Sequence, residues 1–557
     1  MNWTTNYLHP VKWDQHFAPL ALHDMFFEAA ARMDKAALAD FMGRKYSYAE
    51  MANTVRRVAK GLQAKGIGKG DHVGLFLPNV PHYIAAYYGA LAAGATVVNF
   101  SPLYSVDELA HQVADSGTSI LFTVSAAALL PTAIKVLDSS SLKELIVGSV
   151  AEALPRAKGW AYRLFKRKDI ADIPVDSRIT NYADLIANAG DYAVQPCDPE
   201  KDIAQLQYTG GTTGTPKGAM LSHQNITANA RQINMLDPHS KVNDPANAAP
   251  DRILGVLPFF HVFANATVLN RTVNNGGEII MLPRFEAKAA LAAVNRTHVT
   301  SLPGVPTMYQ ALLDCPDIED ANFSSLRACI SGGAPLPAEL KERFEKRTGA
   351  VVIEGYGLTE SSGVVSCNPY EGLNKLGSIG QPIPGTDVKL VDKEDPTKPA
   401  PEGEPGELVF AGPQVMCGYW NRPDADAEVF LGEYLRTGDV ATIDEDGFIH
   451  IVDRLKDMIA VGGFKVFPSQ VEDVLYRHPS VKEALVIGVP DAYHGEMPRA
   501  FVTLQDGASE DGVALAAWLN PQLGKHERVQ SVVVMDTLPK TMIGKLDRKA
   551  LRAAVGV

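Results

Sequence analysis

From residue 71 the chain alternates short, unbroken apolar runs with stretches of helical period. H-V-G-L-F-L-P-N-V (72–80), A-T-V-V-N-F (95–100) and S-I-L-F-T-V (119–124) are apolar on both strand faces. Between them, 84–94 and 106–115 carry apolar positions three and four residues apart. Strands buried on both faces belong to sheets covered by helices on each side, so the pattern predicts an α/β fold. Upstream, 21–34 has helical spacing, and K-Y-S-Y-A-E (45–50) predicts a strand delivering Ser47 as a helix cap, with Glu50 three residues on.

The rhythm resumes at 201–208, with a helix from His223 to Arg231, then strands in 253–263, 276–282, 299–306, 326–336 and 351–360. An amphipathic helix is predicted from Pro337 to about Thr348. Each strand ends in a glycine-rich or polar loop, and open α/β sheets bind ligands in the crevice at such ends. Residues 377–450 are rich in turn signals between short strands, which predicts a β subdomain. The charged run D-R-L-K-D (453–457) follows. Beyond it F-P-S-Q-V-E predicts a helix with Ser469 as cap and Glu472 completing the box, and 481–489 and 529–535 read as strands. This tail is a small α+β domain attached at a charged hinge. No internal repeat is visible.

At 557 residues the chain exceeds one ordinary core, and 46% hydrophobic with 21% charged residues is a common globular balance. A net charge of −12 argues against nucleic acid as a partner. The five cysteines, Cys197, Cys315, Cys329, Cys367 and Cys417, are scattered without metal-ligand spacing, which suits a reducing compartment. The start of the chain has no signal-peptide pattern, and no window is apolar enough to span a membrane, so a cytoplasmic protein is expected. One segment stands apart. In P-R-A-K-G-W-A-Y-R-L-F-K-R-K (155–168), aromatic and basic residues interleave. Such a helix either packs its aromatics against the body or rests on the acidic inner face of the cell membrane as a peripheral contact.

The chemistry centres on L-Q-Y-T-G-G-T-T-G-T-P-K-G (206–218). Glycines fold a loop tightly and bring backbone N–H groups to an anion, threonines add hydroxyl donors, and Lys217 adds a mobile charge. A flexible surface turn is the plain alternative. The Walker pattern ends in Gly-Lys-Ser/Thr, whereas Lys217 lies between Pro216 and Gly218, so this is another kind of phosphate loop. Glu360, at the end of G-Y-G-L-T-E, is either a magnesium ligand beside phosphates or a solvated carboxylate. Tyr356 offers a face to a base or fills core. Asp439 in Y-L-R-T-G-D is either an acceptor for ribose hydroxyls or a turn residue. His261, in P-F-F-H-V-F, has no nucleophile motif beside it and reads as the wall of an apolar pocket. Lys545, in P-K-T-M-I-G-K-L-D-R, is surface charge or a cation on a short mobile tip.

Taken in order, LQYTGGTTGTPKGAM, PFFHVF, ISGGAPL, EGYGLTE, YLRTGD, VDRLKDMIAVGGFKVFP and PKTMIGKLDR closely resemble the adenylate-forming acyl-CoA synthetases, and among them the bacterial long-chain fatty acid–CoA ligases. The resemblance covers essentially the whole chain. It implies a large N-terminal domain (1–453) of two mixed or parallel sheets flanked by helices with a β subdomain, and a small mobile C-terminal domain (454–557). It also implies fatty acid, ATP and CoA as substrates and Mg2+ as cofactor. Monomer and homodimer stay equally open.

By the same resemblance, Thr209, Gly210, Gly211, Thr212, Thr213, Gly214, Thr215, Lys217 and Gly218 embrace the β- and γ-phosphates. Gly332, Gly333, Ala334, Tyr356 and Gly357 hold the adenine. Thr359 meets the α-phosphate, Glu360 binds the metal, and Asp439 takes the ribose with Arg454 nearby. Lys545 bridges the carboxylate and α-phosphate during adenylation. Rotation at Lys456 then withdraws it and presents Gly462 and Gly463 to the pantetheine arm. Phe260, His261, Phe263, Val305 and Met308 line the acyl pocket. An aromatic-acid CoA ligase is the nearest rival reading. A non-enzymatic binding module would be expected to lose Lys217, Glu360, Asp439 or Lys545.

Overall fold

The computed structural model describes residues 3–209, 216–241, 243, 250–462, 464–541 and 545–557. Two large sheets carry the body. The seven-stranded one runs in the order Ile179–Asn181, Glu144–Gly148, Ile120–Val124, His72–Leu75, Thr96–Asn99, Ile203–Tyr208, Gly218–Ser222. All its pairs are parallel except the last. The nine-stranded sheet has a parallel centre, from Val351–Tyr356 through Ala328–Ser331, Ser301–Gly304, Arg252–Gly255 and Glu278–Met281 to Ala37–Phe41, with antiparallel strands at both edges. A five-stranded antiparallel sheet, including Asp387–Val391, Gly406–Ala411, Tyr434–Ile443 and Ile449–Arg454, is the expected β subdomain.

In the two large sheets the apolar runs mark the strands, as expected, but each strand is shorter than its run. The 253–263 run yields Arg252–Gly255, because Pro258 and the two phenylalanines after it turn away into a helix. The Ser47–Glu50 capping box is formed. The Pro81–Ala93 helix is buried at every residue, having no polar face to turn outward. Its tyrosines tie it to the seven-stranded sheet and to a neighbouring helix through buried hydrogen bonds. Tyr83 donates to Asn99 (2.7 Å), Tyr87 to Gln205 (2.9 Å) and Tyr88 to Asn270 (2.7 Å). Each buried hydroxyl thereby has the partner that burial demands. Asn270 lies in one continuous helix, 262–275, whose middle turn Asn265–Asn270 is widened to a π-helix.

The tail forms the expected α+β unit. Its sheet contains Phe464–Val466, Ile459–Val461, Gly495–Leu504, Val481–Asp491 and Val532–Val534, with helices Pro468–Leu475, Gly512–Leu519 and Arg548–Val555. The capping box expected at Ser469 and Glu472 does not form. Pro468 opens the helix after Phe467, and the Ser469 N–H donates to Asp453 (2.8 Å). Glu472 is drawn inward instead, where both its oxygens accept from Arg548 (2.7 and 2.6 Å) and one also accepts from the Val486 N–H (2.7 Å). A charge-assisted pair with a buried guanidinium outcompetes a solvent-side cap. Among the described residues no helix is long and apolar enough to cross a membrane.

Arg548 lies three residues beyond Lys545, so this pair fixes the base of the lysine's loop. Arg548→Ala leaves Glu472 buried without its cation, which costs about 3–5 kcal/mol. Hydrogen exchange at the Val486 amide is expected to quicken by about 10²–10³-fold; unchanged exchange there contradicts the anchoring.

Candidate functional site

The phosphate-type loop is the tip of a hairpin. Tyr208 pairs with Gly218, and the Thr209 N–H donates to the Lys217 carbonyl (2.9 Å), closing its base. The strand Gly218–Ser222 was not anticipated by the sequence reading. Gly210, Gly211, Thr212, Thr213, Gly214 and Thr215 lie outside the described residues. The outer edge of the hairpin is covered by residues 417–420. The Met220 N–H donates to the Gly418 carbonyl, and the Trp420 N–H to that of Gly218 (2.8 Å each). Asp115 locks this arrangement, accepting from the Tyr208 hydroxyl and from Arg422 (2.6 Å each).

That covering segment places Tyr419 between Lys217 and Glu360. The Lys217 ammonium lies 5.0 Å from the centre of its ring, and its hydroxyl donates to Glu360 Oε1 (2.6 Å). Burial, then the Glu360 charge, hold the phenol well above its usual range, so it stays a donor. Glu360 sits in the short turn Thr359–Ser361, and its carbonyl accepts from the Met416 N–H (2.9 Å). Among the described residues the second carboxylate oxygen, Oε2, accepts no hydrogen bond. A half-buried carboxylate with one oxygen oriented and the other open fits Mg2+, which takes one or two protein carboxylates alongside phosphates and waters. Among the described residues no group of three or more His, Cys, Asp or Glu side chains is placed to hold a metal ion, so Glu360 would be a lone protein carboxylate. Tyr419 was missed by the sequence reading. Its signal was the aromatic pair in C-G-Y-W-N-R, which resembles ordinary core.

At the end of the β subdomain, Asp439 and Arg454 face each other on adjacent antiparallel strands, with Arg454 Nε 3.1 Å from Asp439 Oδ1. The Tyr356 hydroxyl donates to Asp439 Oδ2. Asp439 is 2% exposed, so both oxygens are oriented before any ligand arrives. Gly357 allows this strand end to close. A Cβ there would lie 1.6 Å from the Gly363 carbonyl oxygen. Below the S-G-G-A-P-L loop, burial pushes the Glu354 carboxyl up to about 7, and it accepts from the Leu336 N–H (3.3 Å).

Lys545 reaches this place from the tail. Its loop is closed by the Thr541 N–H donating to the Lys545 carbonyl (2.7 Å). The side chain lies over Gly333, whose φ is +85°; a Cβ there would sit 2.7 Å from Lys545 Cε and 3.7 Å from Val305 Cγ1. Gly332 makes equal room for Phe263, whose ring would lie 3.0 Å from a Cβ. Gly332, Gly333, Phe263, Val305 and Lys545 are thus brought together. Met308 follows one turn after Val305, its N–H donating to that carbonyl (2.9 Å). The Phe260 carbonyl accepts from Gln207 (2.9 Å). His261 Nδ1 accepts from the Phe263 N–H (3.2 Å), and burial, then the Lys545 charge, push the imidazole down to about 3. The imidazole is neutral there. Ala334 and Thr359 are half-buried.

Lys456 lies in the turn Leu455–Asp457 directly after the strand carrying Arg454, and burial, then Arg454, lower its pKa. Gly462 is elsewhere. It has φ +56° in a hairpin, and its N–H donates to the His494 carbonyl (2.8 Å). Gly463 lies outside the described residues.

Burial and then Arg454 push Lys545 down to about 8, with Asp439 opposing. A lysine with a lowered folded-state pKa is cationic below that value and loses its charge as pH rises through it. The nucleotide-dependent step expected from sequence is therefore predicted to lose kcat/KM about tenfold per pH unit above about pH 8. Lys545→Arg, which does not titrate there, removes that limb from whatever activity it retains. A wild-type profile flat to about pH 10 contradicts the assignment.

The family model described as AMP-binding enzyme matches residues 26–420, and that described as AMP-binding enzyme C-terminal domain matches 470–545. A long-chain-fatty-acid–CoA ligase of Bacillus subtilis (strain 168) is 38% identical over 552 residues, 99% of this chain and 97% of that one. A feruloyl-CoA synthase of an Amycolatopsis species is 38% identical over 515 residues, 92% and 95% of the two chains. The crystal structure of a benzoate CoA ligase from Burkholderia xenovorans LB400 matches with a TM-score of 0.80 and 26% identity, over 96% of this chain and 100% of the other. The loop, the paired Asp439 and Arg454, and the lysine delivered by the tail thus sit in a chain that belongs to the AMP-binding enzymes.

Proposed function

We propose that the protein activates a medium- to long-chain fatty acid with ATP, through an acyl-adenylate, to its CoA thioester. In the first step a carboxylate oxygen attacks the α-phosphorus and pyrophosphate leaves. In the second, the CoA sulfur attacks the acyl carbon, AMP leaves, and the thiol proton passes to solvent. The observation that carries this reading is the meeting of Lys545 with Gly333, beside Asp439 and Arg454. It supplies one cation where negative charge builds between acid and nucleotide. A group so placed is worth roughly 3–4 kcal/mol.

Thr209 through Gly218 hold the β- and γ-phosphates, with Lys217 released from the Tyr419 ring to meet them. Tyr356 and the 332–334 loop take the adenine, and Asp439 the ribose hydroxyls, in place of its contact with Tyr356. Glu360 would hold Mg2+, which supplies charge neutralisation on the phosphates. Domains 1–453 and 454–557 pivot at Lys456 after adenylation, so that Gly462 and Gly463 face the pantetheine arm while Lys545 leaves. The Bacillus relative supports the fatty acid as substrate. The feruloyl-CoA synthase, at equal identity over a slightly shorter span, favours an aromatic acid as the second reading.

CoA-dependent AMP release, measured over straight-chain acids of about two to about eighteen carbons and ferulic acid, separates the two. Each buried methylene is worth about 0.8 kcal/mol, a factor of about four. kcat/KM is expected to climb by up to that factor per carbon until the pocket is filled. A maximum with ferulic acid overturns the fatty-acid reading.

A further inference from the structure

The helix Arg156–Phe165 has a face that the proposed chemistry does not use. Gly159 is buried on its inner side, where a Cβ would lie 2.3 Å from the Ala151 carbonyl oxygen. Tyr162 also packs inward against the core. The opposite side carries Trp160, Leu164 and Phe165, which are 67%, 56% and 77% exposed. Of the two readings open from sequence, packing of the aromatics against the body therefore holds for Tyr162 and fails for Trp160 and Phe165. Trp160 and Leu164 are four residues apart, as are Ala161 and Phe165, so they form one stripe.

Cations surround this stripe. Arg156, Lys158, Arg163, Lys166, Arg167 and Lys168 are all exposed, in a chain whose net charge is −12. Arg163, Lys166 and Arg167 face Glu152 (3.1 Å), Asp169 (3.9 Å) and Asp172 (2.6 Å), and Lys158 donates to the Met42 carbonyl (2.8 Å). Exposed pairs of this kind exchange readily for other anions. The platform below is fixed. The Arg44–Ser47 edge strand holds residues 152 and 153 through Arg44 to the Glu152 carbonyl and Tyr46 to that of Ala153 (2.7 Å).

We propose that this face docks on an anionic lipid bilayer, with Trp160, Leu164 and Phe165 in the headgroup layer and the cations on lipid phosphates. Local positive charge on an acidic protein selects an anionic surface, and three large apolar side chains standing in water select one with an apolar interior. An acidic polymer would satisfy the charges and leave those side chains wet.

The test is sedimentation of the full-length protein with vesicles of phosphatidylcholine alone or with about one-third phosphatidylglycerol. Binding to the anionic vesicles is expected to be about tenfold stronger or more. Trp160→Ser/Leu164→Ser/Phe165→Ser and, separately, Arg156→Gln/Lys166→Gln/Lys168→Gln should each lose most of it, while AMP release with a short, water-soluble acid stays at the wild-type level and reports an intact fold. No binding by the wild type overturns the proposal. So does undiminished binding by the apolar variant, and retention of that variant on heparin would point to an acidic polymer instead. Vesicle binding is read without turnover, so its failure leaves the reading of the active site standing.

Discussion

The Lys545 side chain lies directly on the backbone of Gly333, and that contact carries the tail's cation to the strand ends of the body. Any side chain at 333 would place a carbon 2.7 Å from Lys545 Cε. The contact joins a loop of the tail to a strand end of the body across more than two hundred residues of sequence. It also brings a cation into a low-dielectric pocket beside another, Arg454, which is why the lysine is pushed down to about 8. A lysine so poised gains when an anionic nucleotide arrives, because a neighbouring negative charge restores the ammonium.

Two of the remaining charged groups, Glu360 and Lys217, meet one aromatic residue rather than each other. Glu360 is oriented by a phenol rather than by Lys217, and Lys217 rests on the ring of the same residue, Tyr419. A cation on an aromatic face is held by about 0.5–2 kcal/mol, weak enough to surrender it to a phosphate. Asp439 alone is paired with a cation, and its second oxygen is kept by Tyr356. These contacts hold the groups in place until a stronger partner exchanges for them.

Much of this was legible in the sequence, for reasons that can be named. Apolar runs such as 95–100 and 119–124 mark strands because parallel strands are buried on both faces, and the loops at their ends mark the crevice. Asp439, Glu360 and Lys545 each had a plain reading as solvated or turn residues, and it was the ordered series of motifs around them that singled them out. Tyr419 was illegible, since an aromatic after a glycine looks the same whether it fills core or holds a carboxylate; the partners that decide, Glu360 and Lys217, are 59 and 202 residues away. The Gly218–Ser222 strand was hidden because G-A-M-L-S is too short and weakly patterned to be read without its partner. Glu472 was misread for a related reason. Local sequence offered it a cap, and the competing Arg548, 76 residues on, appears only in three dimensions.

The central claim is that one lysine serves the first half-reaction and must leave before the second. Lys545→Ala, assayed separately for pyrophosphate exchange and for CoA transfer from supplied acyl-adenylate, tests it most directly. The account predicts that exchange falls about 10²–10³-fold while transfer from the adenylate stays near the wild-type rate. An equal loss in both half-reactions would contradict it.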